Sequence, residues 1–322
     1  MAVSSIAQQG VYMPDNATES SVNGSLVPGT PAESEAFAWM SLLTQFIVVV
    51  GLVGNTIVLW LLGFRMPRNP FSVYILNLAG ADALFLCGQT ARFILRCAGY
   101  SNLASAMGVI YVINSSYTAG LSLLAAISTE RCLSVLFPFW YRSHRPKHTS
   151  PGVCAVLWAL ASLLGVADLI FCVHAHNHHF CPTFFIVRAV WFFLLTAVLC
   201  VSSLTLVLRV QCNSQRRRPP RLYLLILLTV LLFLLCGLAP GIKISIRSLY
   251  LAFRNHWLPT LLACVNSSLN PLIYFFLGSH SHRKERESLK VVLQRALGDK
   301  QELEGEGRNT SHTITPETSS WD

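Results

Sequence analysis

The sequence predicts an all-α membrane protein: a bundle of seven transmembrane helices followed by a short amphipathic helix lying in the inner interface. Three observations predict it. The chain of 322 residues is 53% hydrophobic and only 12% charged, with a mean hydropathy of +0.51, whereas soluble domains carry about a quarter charged residues. Its apolar residues collect into seven runs, each long enough to cross a ~30 Å hydrocarbon core. The Lys and Arg outside those runs gather on alternate connections, as they do in proteins that keep positive charge on the cytoplasmic side.

The runs cover 39–64, 71–96, 105–136, 151–173, 184–210, 221–251 and 257–278. Pro67, Pro70, Pro138, Pro146, Pro219 and Pro220 sit between them, where they stop helices without breaking a span. The first connection holds Arg65 and Arg68, the third Arg142, Arg145 and Lys147, and the fifth Arg216, Arg217, Arg218 and Arg221. Those sides are therefore cytoplasmic, and an odd number of spans puts the N-terminus outside the cell and the C-terminus inside. A net charge of +9 spread over short loops and the tail excludes a nucleic-acid surface.

Four regions follow. Residues 1–38 are an extracellular tail with sequons at Asn16 and Asn23 and without a cleaved leader. Residues 39–278 are the membrane domain. Residues 279–297 set Leu289, Val292, Leu293 and Leu297 against Arg283, Lys284, Arg286, Lys290 and Arg295, which suits a helix lying on the bilayer. Residues 298–322 are polar and rich in Ser and Thr, the composition of a disordered cytoplasmic tail.

Polar groups inside a span mostly face the bundle interior. Asn55, Asp82, Asn266 and Asn270 are central by this topology, and either tie helices together or hold a sodium ion. No other cofactor is expected. Glu130-Arg131-Cys132 closes the inner end of the third span, and Asn270-Pro271-Leu272-Ile273-Tyr274 runs through the seventh.

With Gly54-Asn55, Leu78-Ala79-x-x-Asp82 and Trp158, these motifs resemble class A G-protein-coupled receptors, in matching order and spacing. Longer strings narrow the resemblance: Gly-Asn-Thr-Ile-Val-Leu-Trp-Leu-Leu-Gly-Phe-Arg at 54–65, Ala-Ile-Ser-Thr-Glu-Arg-Cys-Leu-Ser-Val-Leu-Phe-Pro at 126–138 and Val-Leu-Gln-Arg-Ala-Leu at 292–297. They look like the Mas-related G-protein-coupled receptors, over residues 45 to 304. The resemblance implies a plasma-membrane receptor that activates heterotrimeric G proteins of the Gq or Gi type, through Glu130, Arg131, Asn270, Pro271 and Tyr274. It also implies arrestin docking on a phosphorylated tail, and a disulfide joining Cys172 to Cys181 across the second extracellular loop. Cys97 is left as a free thiol.

Two departures from the family stand out. The usual Cys-Gly-Leu-Pro reads Cys236-Gly237-Leu238-Ala239-Pro240 here, so the kink in the sixth span moves one residue later and turns the outer half by roughly 100°. The second of two acids that grip basic peptides is also missing: the first matches Asp168, and the second falls on Phe185. Ile113 stands where amine receptors place their aspartate, which argues against a monoamine ligand.

The outer membrane zone instead carries Arg92, Arg96, Arg188, Lys243 and Arg247 against the single acid Asp168. Such cations either snorkel to phosphate and water or line a pocket for an anionic small molecule or short peptide. A basic peptide held by Asp168 is the alternative ligand, and a receptor-fold interaction partner that does not signal is the alternative role. A transporter lacks the paired repeats and midplane charges it needs, and no enzyme motif is present. His174, His176, His178 and His179 read as a solvated loop rather than a metal site.

Overall fold

A computed structural model describes residues 31–66, 69–99, 102–146, 148–174, 180–212, 221–238, 258–279 and 293. At 31–37, 142, 172–174, 180–182, 210–212, 221–226 and 276–279 the description is of the backbone. The elements are α1 (Pro31–Trp60), α2 (Pro70–Cys97), α3 (Leu103–Leu136), the short α4 (Pro138–Ser143), α5 (Thr149–Asp168), α6 (Phe180–Cys212), α7 (Arg221–Leu232) and α8 (Leu258–Ser279). Wider π turns extend three of them: Leu61–Arg65 after α1, Leu169–His174 after α5 and Phe233–Gly237 after α7. No strand occurs among the described residues.

Five helices are long and apolar enough to cross a membrane by themselves: Ala38–Arg65, Pro70–Cys97, Leu103–Leu136, Thr149–Phe171 and Thr183–Arg209. These limits lie within two residues of the sequence reading. α7 starts at the expected Arg221 and α8 spans 258–279 against the expected 257–278. α1 begins at Pro31, so helix precedes the membrane run and enters the segment expected to be a tail.

Local chemistry explains the boundaries. Asn69 caps α2, with its side chain accepting from the Ser72 amide at 2.6 Å while the Ser72 hydroxyl accepts from the Asn69 amide at 2.9 Å. Pro70 occupies the first helical position, where its missing N–H costs nothing. Asn102 caps α3 by accepting from the Ala104 amide at 3.0 Å. Phe137 separates α3 from α4, which opens on Pro138.

α3 is the hub of the bundle, packed on α2, α5 and α6, while α1 packs on α2 and α8. The main core joins Leu61, Tyr74, Leu78, Leu123, Leu199, Phe233 and Tyr274. A smaller core in the other half joins Val48, Phe85, Leu86, Ile113 and Cys264. Leu293 is fully buried in the main core; of the expected interfacial helix only Ser279 and Leu293 lie among the described residues.

Outward faces read the opposite way. Trp39, Phe46, Val53, Leu163, Ile186, Val201 and Leu235 are large apolar side chains more than half exposed. On a soluble protein such a surface would aggregate, and around a bundle this long it is a lipid-facing belt. Gly165 on α5 lets α3 approach closely: a Cβ there would collide with Ser115 Oγ and sit 3.0 Å from the Tyr111 ring. Trp158 on the same helix donates its indole N–H to Asn77 of α2 at 3.1 Å.

Candidate functional site

Three polar clusters lie along the bundle. In the middle, Asn55, Asp82, Asn266 and Asn270 are all buried, with 1 to 6% of their surface exposed. Asn55 of α1 donates to the Gly51 carbonyl at 2.9 Å and to the Ser267 carbonyl of α8 at 3.1 Å. Asn270 of α8 donates to Asp82 of α2 at 2.7 Å. The expected polar core is therefore assembled, and it ties α1, α2 and α8 together just before Pro271 interrupts the α8 ladder.

The same cluster suits a hard cation. A narrow cavity lined by Asp82, Ser116, Gly120, Phe233, Asn266 and Ser267 lies beside it. The carboxamide oxygens of Asn266 and Asn270 are buried without a partner among the described residues. The Asp82 carboxylate, the Asn266 amide oxygen and the Ser116 and Ser267 hydroxyls that line the cavity are oxygen donors of the kind hard ions take.

At the inner end of α3 the acid of Glu130-Arg131 is held from three other elements. Tyr74 of α2 donates to Glu130 Oε1 at 3.0 Å, and Tyr141 of α4 donates to Oε2 at 2.9 Å. Arg145, beyond α4, donates from Nε to Oε2 at 3.2 Å and from Nη2 to Oε1 at 3.0 Å. Arg145 Nη2 also donates to Ser150 Oγ of α5 at 2.6 Å. Both side chains are largely enclosed, at 7% and 14% exposure. Burial and then the charge of Glu130 hold the Tyr141 phenol above its usual range. Arg145 loses some basicity to burial but regains more from its hydrogen bonds to Glu130, so it stays a cation. The Arg131 guanidinium lies 3.8 Å from the centre of the Phe71 ring, a cation–π contact of short range. Tyr274 of α8 is buried in the main core, its hydroxyl without a partner among the described residues.

The outer half holds the third cluster. Asp168, the last residue of α5, is buried. Its Oδ2 receives Arg188 Nη1 of α6 at 2.9 Å and Asn114 Nδ2 of α3 at 3.0 Å. The ion-paired side chains are 10% and 11% exposed. Phe185 lies three residues before Arg188 on α6 and is half-buried. On α2, Arg92 is half-buried and Arg96 is exposed near the outer end.

The sequence reading assigned Arg188 to an anion pocket and Asp168 to a basic ligand; in the fold each is the other's partner. Lys243, Arg247, the glycosylation sequons Asn16 and Asn23, and the side chains of Cys172 and Cys181 lie outside the described residues. Cys97 is exposed and has no disulfide partner among the described residues.

Between the outer and middle clusters, the Tyr117 hydroxyl of α3 donates to the Gly237 carbonyl in the π turn of the sixth span. Tyr117 also meets Phe85 of α2, with ring centres 5.9 Å apart. A Cβ on Gly237 would collide with the Phe233 ring, whose Cε2 would be only 2.8 Å away, so no large side chain fits there. Sequence reasoning missed Tyr117, Tyr74, Tyr141 and the role of Arg145. Arg145 had registered only as loop charge, and tyrosines in apolar runs give no separate signal.

Comparison with known proteins identifies the family of the fold. The family model for the seven-transmembrane receptors of the rhodopsin family matches residues 54–274. The Mas-related G-protein coupled receptor member X2 of Macaca mulatta is 48% identical over 275 residues, 81% of this chain and 84% of that protein. Member X3 of the same species is 46% identical over 295 residues, 88% and 91% of the two chains. Member X1 of Homo sapiens is 46% identical over 278 residues, covering 83% and 86%.

Proposed function

The chain belongs to the Mas-related family of rhodopsin-like G-protein-coupled receptors, and from that premise we propose that it takes an extracellular anionic ligand into its outer half and activates heterotrimeric G proteins of the Gq or Gi type. It is a multi-pass membrane receptor and not an enzyme, and the proposed orientation places the N-terminus outside.

The observation that carries the coupling is the inner mouth. Glu130 is engaged by donors from α2, α4 and the loop that follows α4, while Arg131 lies at the same level against Phe71. An agonist that favours a second packing of the helices shifts the population toward an open mouth, where Arg131 and Tyr274 reach a G protein. The Tyr117–Gly237 bond between α3 and the sixth span gives the outer half a mechanical path inward. In the polar core, Asp82 with Asn266 and Asn270 would hold a sodium ion, which supplies a charge that favours the closed packing. Serines and threonines of the tail, from Thr310 to Ser320, would recruit arrestin once phosphorylated.

The ligand's charge follows from what the Asp168–Arg188 pair leaves over. The outer zone has five cationic residues and one acid by sequence, and the pair removes one of each sign, so the excess stays positive. Guanidinium groups match carboxylate, sulfate and phosphate in shape as well as charge. The competing reading, a basic peptide on Asp168, needs a carboxylate that already has Arg188 as its counter-ion. To test the reading, acidic metabolites and short acidic peptides are screened on cells by calcium and cyclic AMP. Potency of a resulting agonist should fall at least ~10-fold in Arg96→Ala or Lys243→Ala, which corresponds to about 1.4 kcal/mol. Unchanged potency in both overturns the anion pocket.

A further inference from the structure

Asp168 and Arg188 approach one another from two helices with a third donor in place. α5 ends at Asp168, α6 brings Arg188 and α3 brings Asn114, and all three meet at one carboxylate oxygen, Oδ2. Charges this enclosed persist only when matched and hydrogen-bonded. The Arg188 side chain is long and flexible, yet it is 90% enclosed, which places its guanidinium where a ligand's cationic group would otherwise satisfy Asp168.

We propose that Arg188 is the specificity-determining residue of the outer cavity: its guanidinium is a tethered cation that fills the Asp168–Asn114 subsite and bars guanidinium- and ammonium-bearing ligands from it. The subsite remains intact beneath it. Asp168 and Asn114 keep their mutual bond at 3.0 Å, so removing the tether leaves a carboxylate pre-oriented for a free cation. The same pair that denies the receptor cationic ligands would, without Arg188, select them.

This rests on the outer half being the ligand cavity, but its test reads binding at the subsite without any signalling, so the two fail separately. The full-length receptor is purified in detergent as wild type, Arg188→Ala and Arg188→Ala/Asp168→Asn. Thermal unfolding is followed with ethylguanidinium chloride at millimolar concentration, with ethylammonium chloride and with propionamide as a neutral amide of similar size. Arg188→Ala should be stabilised saturably by ethylguanidinium, by about 2–4 °C at roughly five times its apparent Kd, and less by ethylammonium. Propionamide should do nothing, and wild type and the double variant should not respond to either cation.

If Arg188→Ala is too unstable to purify, ethylguanidinium in the growth medium should raise its cell-surface amount several-fold, and should not do so for the double variant. Equal responses of wild type, Arg188→Ala and the double variant overturn the proposal. So does rescue by propionamide as strong as by ethylguanidinium, because that would mean filled space rather than a satisfied charge.

Discussion

Replacing Arg145 with Ala removes three hydrogen bonds at once: two to Glu130, at 3.2 and 3.0 Å, and one to Ser150 at 2.6 Å. Truncating one member of a buried ion pair costs about 3–5 kcal/mol when the surviving charge is stranded. Glu130 is not stranded here, since Tyr74 and Tyr141 still donate to its two oxygens, and the pair keeps some exposure to solvent. The expected loss is therefore about 2–3 kcal/mol, below the stranded-charge range and above that of a surface pair. For a chain of this size that lowers the apparent melting temperature by about 4–12 °C.

The assay is thermal unfolding of the purified receptor, completed as a double-mutant cycle with Glu130→Gln to isolate the pairwise coupling. Arg145→Lys should recover part of the loss, because an ammonium keeps the charge but not the two-pronged geometry. A loss under about 0.5 kcal/mol for Arg145→Ala, or additive effects in the cycle, would refute the view that this arginine anchors the inner end of α3.

Two further outcomes follow from the middle of the bundle. Gly237→Ala puts a methyl group into the Phe233 ring, and overpacking of this kind costs about 1–3 kcal/mol; a melting temperature unchanged from wild type would show that the ring can move aside. Asp82→Asn removes the one acidic side chain among the described residues that line the central cavity with Asn266 and Ser267. Raising sodium chloride against choline chloride should therefore stabilise wild type by a few degrees and leave the variant unaffected, and equal responses in the two proteins would remove sodium from the account.

The limits of the five long spans and the burial of the central polar residues were legible because each rests on a one-dimensional signal. An apolar run of fixed length must be a span, and Asp82 amid Leu78, Ala79 and Phe85 must face inward to survive. Pairings between helices leave no such trace. Asp168 and Arg188 each look like a group waiting for a ligand until α5 and α6 are packed side by side. Arg145 reads as one more basic residue of a cytoplasmic loop until α4 folds back beneath α3. The reason for glycine at Gly237 is likewise three-dimensional, since it depends on where the Phe233 ring turns in the π-helical stretch.

The central claim is that the inner mouth around Arg131 drives a G protein, and nucleotide exchange tests it most directly. The full chain is reconstituted in lipid nanodiscs with purified Gq or Gi heterotrimer, and GTPγS uptake is followed with and without an agonist from the acidic screen. Wild type should accelerate uptake by one of the two proteins at least ~10-fold, and Arg131→Ala, with its Phe71 contact gone, should abolish that gain while still binding the agonist. Agonist-driven exchange that survives Arg131→Ala, or none in wild type with any heterotrimer, would contradict it.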